Sequence, residues 1–366
     1  MQIALTKKLA DALELKLPPC DETIDPLFTW TANWTKVWDN RRTEDLLVLV
    51  NNATRFTVAI YQVKKKDLKN VAELMKAAII NTFRGMNINP EIIEDYMRLA
   101  GEVTFVQNKS RQTASWVTRA GLESAFRIGE EYNGIAKMYN DTVGIPSNYY
   151  LVNYTGSTKE GFYPYRAMIE KLSELTGKQA YKYSAFELLV TLDLEVYKAE
   201  RKLIVPADLE LSQLHKVLQS AFRWKNYHLY DFTILDEQTG NLISRMVPFE
   251  EGLAYDQNAI LMAGHTLSEF FPYHKKILYT YDMGDNWEHE IQLIRVIEDY
   301  DQESPYLLEA NGQTPPEDVG GVGGFVSFRE IMLNPKHPEY EEVRAWANFW
   351  TPELSGWQSH PRVIHL

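Results

Sequence analysis

What most constrains this chain is a discontinuity near its middle. Residues 1–150 carry 19 Lys/Arg against 18 Asp/Glu and residues 151–366 carry 19 against 32, a balance of about +1 followed by about −13. Where the balance changes, Gly144-Ile145-Pro146 leaves the helical pattern, and Pro146 to Phe162 supplies Asn, Tyr, Thr, Gly and Ser without sustained periodicity. A chain of 366 residues also exceeds what one ordinary core accommodates. The expected organisation is therefore a domain over 1–145, a linker over 146–162 and a second domain over 163–366. With 45% hydrophobic and 24% charged residues, each half can bury a core.

Both halves read as α+β. In the first, Leu5, Leu9, Leu13 and Leu17 recur every four residues before Pro18-Pro19, which predicts a short helix with a hard stop. Leu46 to Val50 and Phe56 to Val63 flank Asn51-Asn52-Ala53-Thr54 and predict a β-hairpin, because Asn tolerates the left-handed turn conformation. Val71, Leu74, Met75, Ala78, Ile79 and Phe83 mark a helix ending at Gly85; Asn89-Pro90 caps another that ends at Gly101. That helix pair reads as a plain αα-hairpin and not as a DNA reader, since the second helix offers Glu91, Glu94 and Asp95 against a lone Arg98. The second half predicts a mostly antiparallel sheet with packed helices. Helices are expected at Arg166 to Leu175, at Leu211 to Phe222 capped by Asp208, and over 325–333 and 338–350. Strands are expected at Glu187 to Glu195, Tyr197 to Val205 and His228 to Leu235, with a hairpin of Ile277 to Asp282 and Trp287 to Val296 turning at Met283-Gly284-Asp285-Asn286.

Composition narrows the function. The longest aliphatic run, Leu46 to Val50, is far short of a membrane span, and Met1 leads into Gln-Ile-Ala-Leu-Thr-Lys-Lys without a signal-peptide core, so a cytoplasmic protein without membrane association is expected. The single cysteine, Cys20, excludes an internal disulfide and a multi-thiolate zinc site, and Asp21 and Glu22 beside it disfavour a thiolate. Strong nucleic-acid binding is not expected of an acidic C-terminal half, and the basic runs Lys7-Lys8, Arg41-Arg42 and Lys64-Lys65-Lys66 are short.

A family resemblance rests on four ordered motifs. Arg201 to Pro206 with Leu214-His215, Ala221 to Trp224 and His228 to Phe232 resemble the opening of the plasmid pRiA4b ORF-3-like family. Tyr279 to Ile291 resembles its central signature, Thr314 to Gly321 its third and Asn334 to Tyr340 its closing segment, over about residues 184–355. The first half is similar, at Trp30, Asn51-Asn52, Thr54 and Asn108 to Arg111, to an uncharacterised domain family sometimes fused ahead of it. The resemblance implies an α+β domain associated with plasmids and mobile elements, with no established activity. Some members are labelled as resolvase-type passenger proteins, but the acidic half holds no arginine cluster beside a nucleophilic serine, so that label reads as genomic context. Many members carry cysteines around the third motif, where this chain has Thr314 and Val319, so no thiolate role carries over.

The central hairpin concentrates Asp282, Asp285, Glu288, His289 and Glu290. Strand alternation puts Trp287, His289 and Ile291 on one face and the glutamates on the other, toward solvent. Two readings stand: Asp282 and Asp285 serve as turn caps around Gly284, or Asp282, Asp285 and His289 bind a divalent metal, supported by His228 and the Glu317-Asp318 loop. The candidate ligand-binding residues are thus His228, Asp282, Asp285, Trp287, His289, Glu317 and Asp318, and all of these but Trp287 are expected to line one concave surface. His215 reads as a core histidine, and Pro315 to Gly324 as a rigid turn with a glycine bend whose Glu317 and Asp318 repel anions. The expected function is a non-enzymatic accessory or binding protein of mobile-element origin, acting on a protein partner or small ligand. The alternative is a metal-dependent hydrolase or nuclease centred on Asp282, Asp285 and His289.

Overall fold

Leu46 to Val50 is continuously apolar because both faces of its strand are covered. The computed structural model describes residues 1–38, 43–131, 142–153, 161–236, 238–254, 256–347 and 360–365, with backbone alone for 129–131 and 153. In the first unit, β1 (Gln2–Leu5), β2 (Thr29–Thr35), β3 (Leu46–Asn51), β4 (Thr57–Tyr61) and β5 (Thr104–Gln107) form a sheet of order β4-β3-β2-β1-β5. β1 runs parallel to both β2 and β5, and the other pairs are antiparallel. Leu47, Leu49, Val58 and Ile60 join a core with α1 (Lys7–Leu13), α2 (Val71–Gly85) and α3 (Pro90–Ala100), whereas Leu46, Val48, Val50, Ala59 and Tyr61 pack against α4 (Arg111–Glu131). Coverage on both sides explains an unbroken apolar strand.

The turns are set by single polar side chains. Asn51 Oδ1 accepts from the backbone N–H groups of Ala53 and Thr54 at 3.0 and 3.1 Å, holding the β3–β4 hairpin where the sequence predicts it. Asn89 Oδ1 caps α3 by accepting from Glu91 N at 3.0 Å. The leucine repeat misleads at its start: Leu5 ends β1, and α1 begins only after Thr6. Ile3 and Leu5 are buried in a strand flanked on both sides, and pairing with two neighbours outweighs a four-residue period.

The boundary between the units lies at 182/183 and not at 162/163 as the sequence suggests. Two short strands, β6 (Val152–Asn153) and β7 (Gly161–Phe162), pair within the stretch read as linker, whose residues 154–160 lie outside the described residues. The helix after them, α5 (Pro164–Thr176), buries Tyr165, Met168 and Leu172 in the core built on Ile3, Trp30 and Phe83. It belongs to the first unit.

The second unit is built on a nine-stranded sheet: β8 (Tyr183–Asp193), β9 (Lys198–Pro206), β10 (Tyr230–Leu235), β11 (Leu242–Val247), β12 (Ala259–Leu261), β13 (Lys276–Tyr281), β14 (Trp287–Tyr300), β15 (Tyr306–Asn311) and β16 (Arg362–Val363). Their order is β12-β11-β10-β13-β14-β8-β9-β15-β16, antiparallel throughout except for β11 with β12. The buried positions of β8 and β13 join α6 (Leu211–Phe222) and α7 (Gly321–Met332) in one core, with α8 (Tyr340–Ala347) packed at its margin. The α6 cap is Glu210, two residues after the expected Asp208: Glu210 and Gln213 form a reciprocal capping box. Trp350 and Trp357 lie outside the described residues. The whole is α+β.

A fragment ending at residue 162 would lack α5 and leave its three buried side chains without a place. Each contributes ~1.5–3 kcal/mol by burial, together roughly 5–9 kcal/mol and comparable to a domain's entire stability. Fragment 1–182 should therefore unfold cooperatively in urea, and fragment 1–162 should show no cooperative transition by circular dichroism.

Candidate functional site

The central hairpin turns through two left-handed residues, Asp282 at φ 58° and Asn286 at φ 54°. Short polar side chains tolerate that conformation because they bond locally. Asp282 Oδ1 accepts from Gly284 N at 2.9 Å and Asp285 N at 3.3 Å, and its backbone N–H donates to Leu229 O at 2.9 Å. The turn is thereby tied to the loop leading into β10. Asp282 is a turn cap, as one sequence reading holds, but only one of its oxygens does that work.

The other oxygen faces His228. His228 Nε2 lies 3.5 Å from Asp282 Oδ2, 3.6 Å from Glu317 Oε2 and 3.2 Å from Asp318 Oδ1. The atom is shielded from solvent, and none of these contacts has hydrogen-bond geometry. Among the described residues, His228, Asp282 and Asp318 form one group whose donor atoms lie within 4.8 Å of one another. Glu317 is held in place by Lys225 N, which donates to Oε1 at 2.5 Å, and by the Tyr281 hydroxyl at 3.3–3.4 Å. Burial first, and the Glu317 carboxylate with it, pushes the Tyr281 hydroxyl up to about 12, so it stays a donor. The cluster is graded from inside to outside: the Asp282 and Glu317 side chains are each 9% exposed, His228 26% and Asp318 66%.

Asp285 has a different task. Its Oδ2 accepts from Gly320 N at 3.1 Å and so binds the third-motif loop to the hairpin. Gly320 and Gly321 adopt φ 91° and 68°, and a Cβ on Gly321 would lie 2.6 Å from Asp285 O. Glycine is required there both by conformation and by close approach. Within that loop, Thr314 Oγ1 accepts from Arg201 Nη2 at 3.1 Å and Val319 packs on the core.

His289 and Trp287 are not among the side chains that surround His228. His289 is fully buried, its ring edge-on to Phe222 with centroids 4.6 Å apart and its Nδ1 2.9 Å from Trp287 O. Trp287 stacks with Trp224 at 5.7 Å and supports the face on which Tyr281 lies. Glu288 is exposed and Glu290 half-buried on the opposite face, as alternation requires. The residues that the structure brings together are therefore His228, Asp282, Glu317 and Asp318, with Asp285 as the tether. The sequence motifs already contain Tyr281 and Lys225 lies just after one of them, yet their hold on Glu317 depends on a loop 36 to 92 residues away and has no local signal.

The two core histidines couple stability to pH. His215 bonds the Tyr279 hydroxyl through Nδ1 and Asn226 Oδ1 through Nε2, both at 2.7 Å, and stacks on Tyr230 at 3.4 Å. Burial pulls both His215 and His289 down to about 4. In the unfolded chain a histidine titrates at ~6.5, so that state takes up protons first as pH falls. Stability is full above that value and is lost between ~6.5 and 4, by up to ~1.4 kcal/mol per pH unit for each ring. The urea midpoint should fall over this window, less steeply in His215→Gln than in the parent; equal slopes would contradict the assignment. Gly321→Ala should cost ~1–3 kcal/mol and loosen the loop without unfolding the sheet, measurable as faster amide exchange at Gly320.

Similarity to known proteins follows the same division of the chain. The family model of plasmid pRiA4b ORF-3-like protein matches residues 184–356, and that of a domain of unknown function, DUF6933, matches residues 2–167. The uncharacterized protein y4hQ of Sinorhizobium fredii is 37% identical over 167 residues, 44% of this chain and 80% of that protein. A solved structure of a protein of unknown function from Methanosarcina mazei Go1 is similar at 25% identity with a TM-score of 0.40, over 49% of this chain and 100% of that one. Through its second unit the chain belongs to the plasmid pRiA4b ORF-3-like family, with a DUF6933 domain ahead of it.

Proposed function

We propose that this chain is a cytoplasmic, non-enzymatic binding protein of mobile-element origin whose second domain holds a divalent cation at His228, Asp282 and Asp318, with Glu317 as the fourth donor. The observation that carries this reading is one imidazole nitrogen, shielded from water and without a hydrogen bond, facing three carboxylate oxygens at 3.2–3.6 Å. Donors bonded at ~2.1 Å to one tetrahedral ion stand ~3.4 Å apart, close to the distances from His228 Nε2 to the carboxylate oxygens. A cation among the Asp282 and Asp318 carboxylates would offset the repulsion between them. Mixed imidazole and carboxylate donors suit zinc or manganese better than calcium, which prefers oxygen alone.

The cation would join the hairpin turn, the loop before β10 and the third-motif loop, three segments distant in sequence. Its role in this reading is to fix a surface against which a protein partner or small ligand docks. The exposure of Asp318 favours a second reading, in which an outward coordination position carries a reactive water, as a metal-dependent hydrolase or nuclease requires. The acidic balance of residues 151–366 argues against a nucleic-acid substrate.

Purified protein stripped with EDTA should gain thermal stability when zinc or manganese is added, by ~2.7 kcal/mol at a hundred times the dissociation constant. Asp318→Asn, which alters the most exposed donor and disturbs no turn, should weaken binding at least about tenfold. His228→Asn should abolish it. Silence across zinc, manganese, magnesium and calcium would defeat the cation reading. Turnover of a phosphodiester by the loaded protein, lost in Asp318→Asn, would decide for the hydrolase.

A further inference from the structure

Met283 stands at the tip of the central hairpin, between the turn-capping Asp282 and Gly284, and is 40% exposed. The other methionines are placed differently. Seven of the ten in the chain are at most 7% exposed, Met97 packs against the core of the first unit, and Met138 lies outside the described residues. Among the described residues, Met283 is thus the thioether most open to a reagent in water.

Its sulfur has a particular neighbour. Arg245 Nη2 donates to Met283 Sδ at 3.8 Å, a weak hydrogen bond because a thioether is a poor acceptor. Arg245 lies on β11 opposite Thr233 of β10, and β10 is flanked on its other side by β13, whose end leads into the turn. The guanidinium therefore crosses β10 to reach the hairpin. It is anchored on the way by Asp231, a side chain 2% exposed, whose Oδ2 accepts from Arg245 Nε at 2.6 Å and also meets Nη2. Burial raises the pKa of Asp231, and the guanidinium opposes that rise. A planar fork of N–H donors serves a carboxylate and a second acceptor together.

We infer that Met283 is a reversible oxidation site, converted by a hydroperoxide to the sulfoxide, whose oxygen then accepts a hydrogen bond from Arg245 Nη2. A sulfur lone pair attacks the terminal peroxide oxygen, the O–O bond breaks and the S–O bond forms. The proton of the attacked oxygen passes to the departing one, which leaves as an alcohol, or as water where the oxidant is hydrogen peroxide. Sulfur gives up two electrons and the peroxide takes them. The N–H already directed at the sulfur bonds the departing oxygen as negative charge gathers on it, which speeds the step. Afterwards the sulfoxide oxygen, a stronger acceptor than the thioether, turns a weak contact into a charge-assisted hydrogen bond that fastens the turn across β10 to β11. Because Asp282 precedes Met283, the modification acts on the turn that presents Oδ2 to His228, and it needs no cation.

The test is treatment of the full chain with hydrogen peroxide in EDTA, which keeps it independent of the cation site, followed by mass spectrometry of its peptides. Met283 should gain oxygen at least about tenfold faster than the partly buried Met97, and at least about threefold faster than it does in Arg245→Lys, which keeps a positive charge for Asp231 and lacks the fork. In protein oxidised at Met283, amide exchange at Gly284 should slow at least about twofold and recover after treatment with the methionine sulfoxide reductases for both epimers. Met283→Gln, which carries an amide oxygen at similar reach, should slow the same exchange without oxidant. Both exchange measurements leave Arg245 in place and so stand even where Arg245→Lys does not fold. Met283 reacting no faster than Met97, a rate unchanged in folded Arg245→Lys, or exchange at Gly284 unchanged or faster after oxidation would each overturn the proposal.

Discussion

The second domain depends on the divided use of one carboxylate. Asp282 stands in left-handed backbone at the end of β13, where its Oδ1 satisfies two N–H groups of the turn. Had both oxygens been used in this way, the turn would be a structural device only. Oδ2 instead points at His228, and Glu317 and Asp318 arrive from the third-motif loop to complete the group. The same residue therefore shapes the hairpin and presents an oxygen to His228, so a change at Asp282 alters turn and cluster together, whereas one at the outer Asp318 alters the cluster alone.

Three histidines of this domain illustrate how environment assigns a role. His289 and His215 are buried among aromatic rings, and desolvation keeps both neutral in the physiological range. His228 lies only partly buried, with its Nε2 facing carboxylate oxygens instead of aromatic rings. Sequence alternation alone puts His228, Tyr230 and Phe232 on one face and cannot rank the histidines. The difference arises because β10 starts only at Tyr230, leaving His228 in the preceding loop.

Legibility in the sequence followed the range of the interactions. The Asn51 hairpin, the Asn89 cap and the 279–293 hairpin are written in residues a few positions apart, and all three appear where the pattern places them. Errors occurred where distant packing decides. Leu5 was drawn from a helical repeat into a sheet by two parallel neighbours, and α5 was drawn back across a polar stretch by a core formed 60 to 160 residues earlier. In the candidate site, His289 shares a short motif with Asp282, so spacing ties them together, whereas the pleat of β14 sends the ring inward. Asp318 is the donor that faces His228 in its place, from a loop that Asp285 holds through Gly320.

Why the first and third motifs meet at all is answered by Arg201. This side chain is almost wholly buried, and burial pulls it down to about 10. Its Nε donates to Ala221 O at 2.8 Å, its Nη1 to Asn311 O at 2.8 Å and Gly312 O at 3.1 Å, and its Nη2 to Thr314 Oγ1. Ala221 lies in the last turn of α6, where unpaired helix carbonyls favour a cation, and the chain continues from there into the loop that carries His228. Asn311 to Thr314 lead directly into Glu317 and Asp318. One guanidinium, centred 4.5 Å over the Phe222 ring, therefore fixes the roots of both loops whose tips supply the donors. A lysine could not reproduce this, because a single ammonium lacks the fork needed to reach a helix end and a loop together. Arg201 is a positioning residue, and the cluster around His228 inherits its geometry from a buried charge that does not touch it.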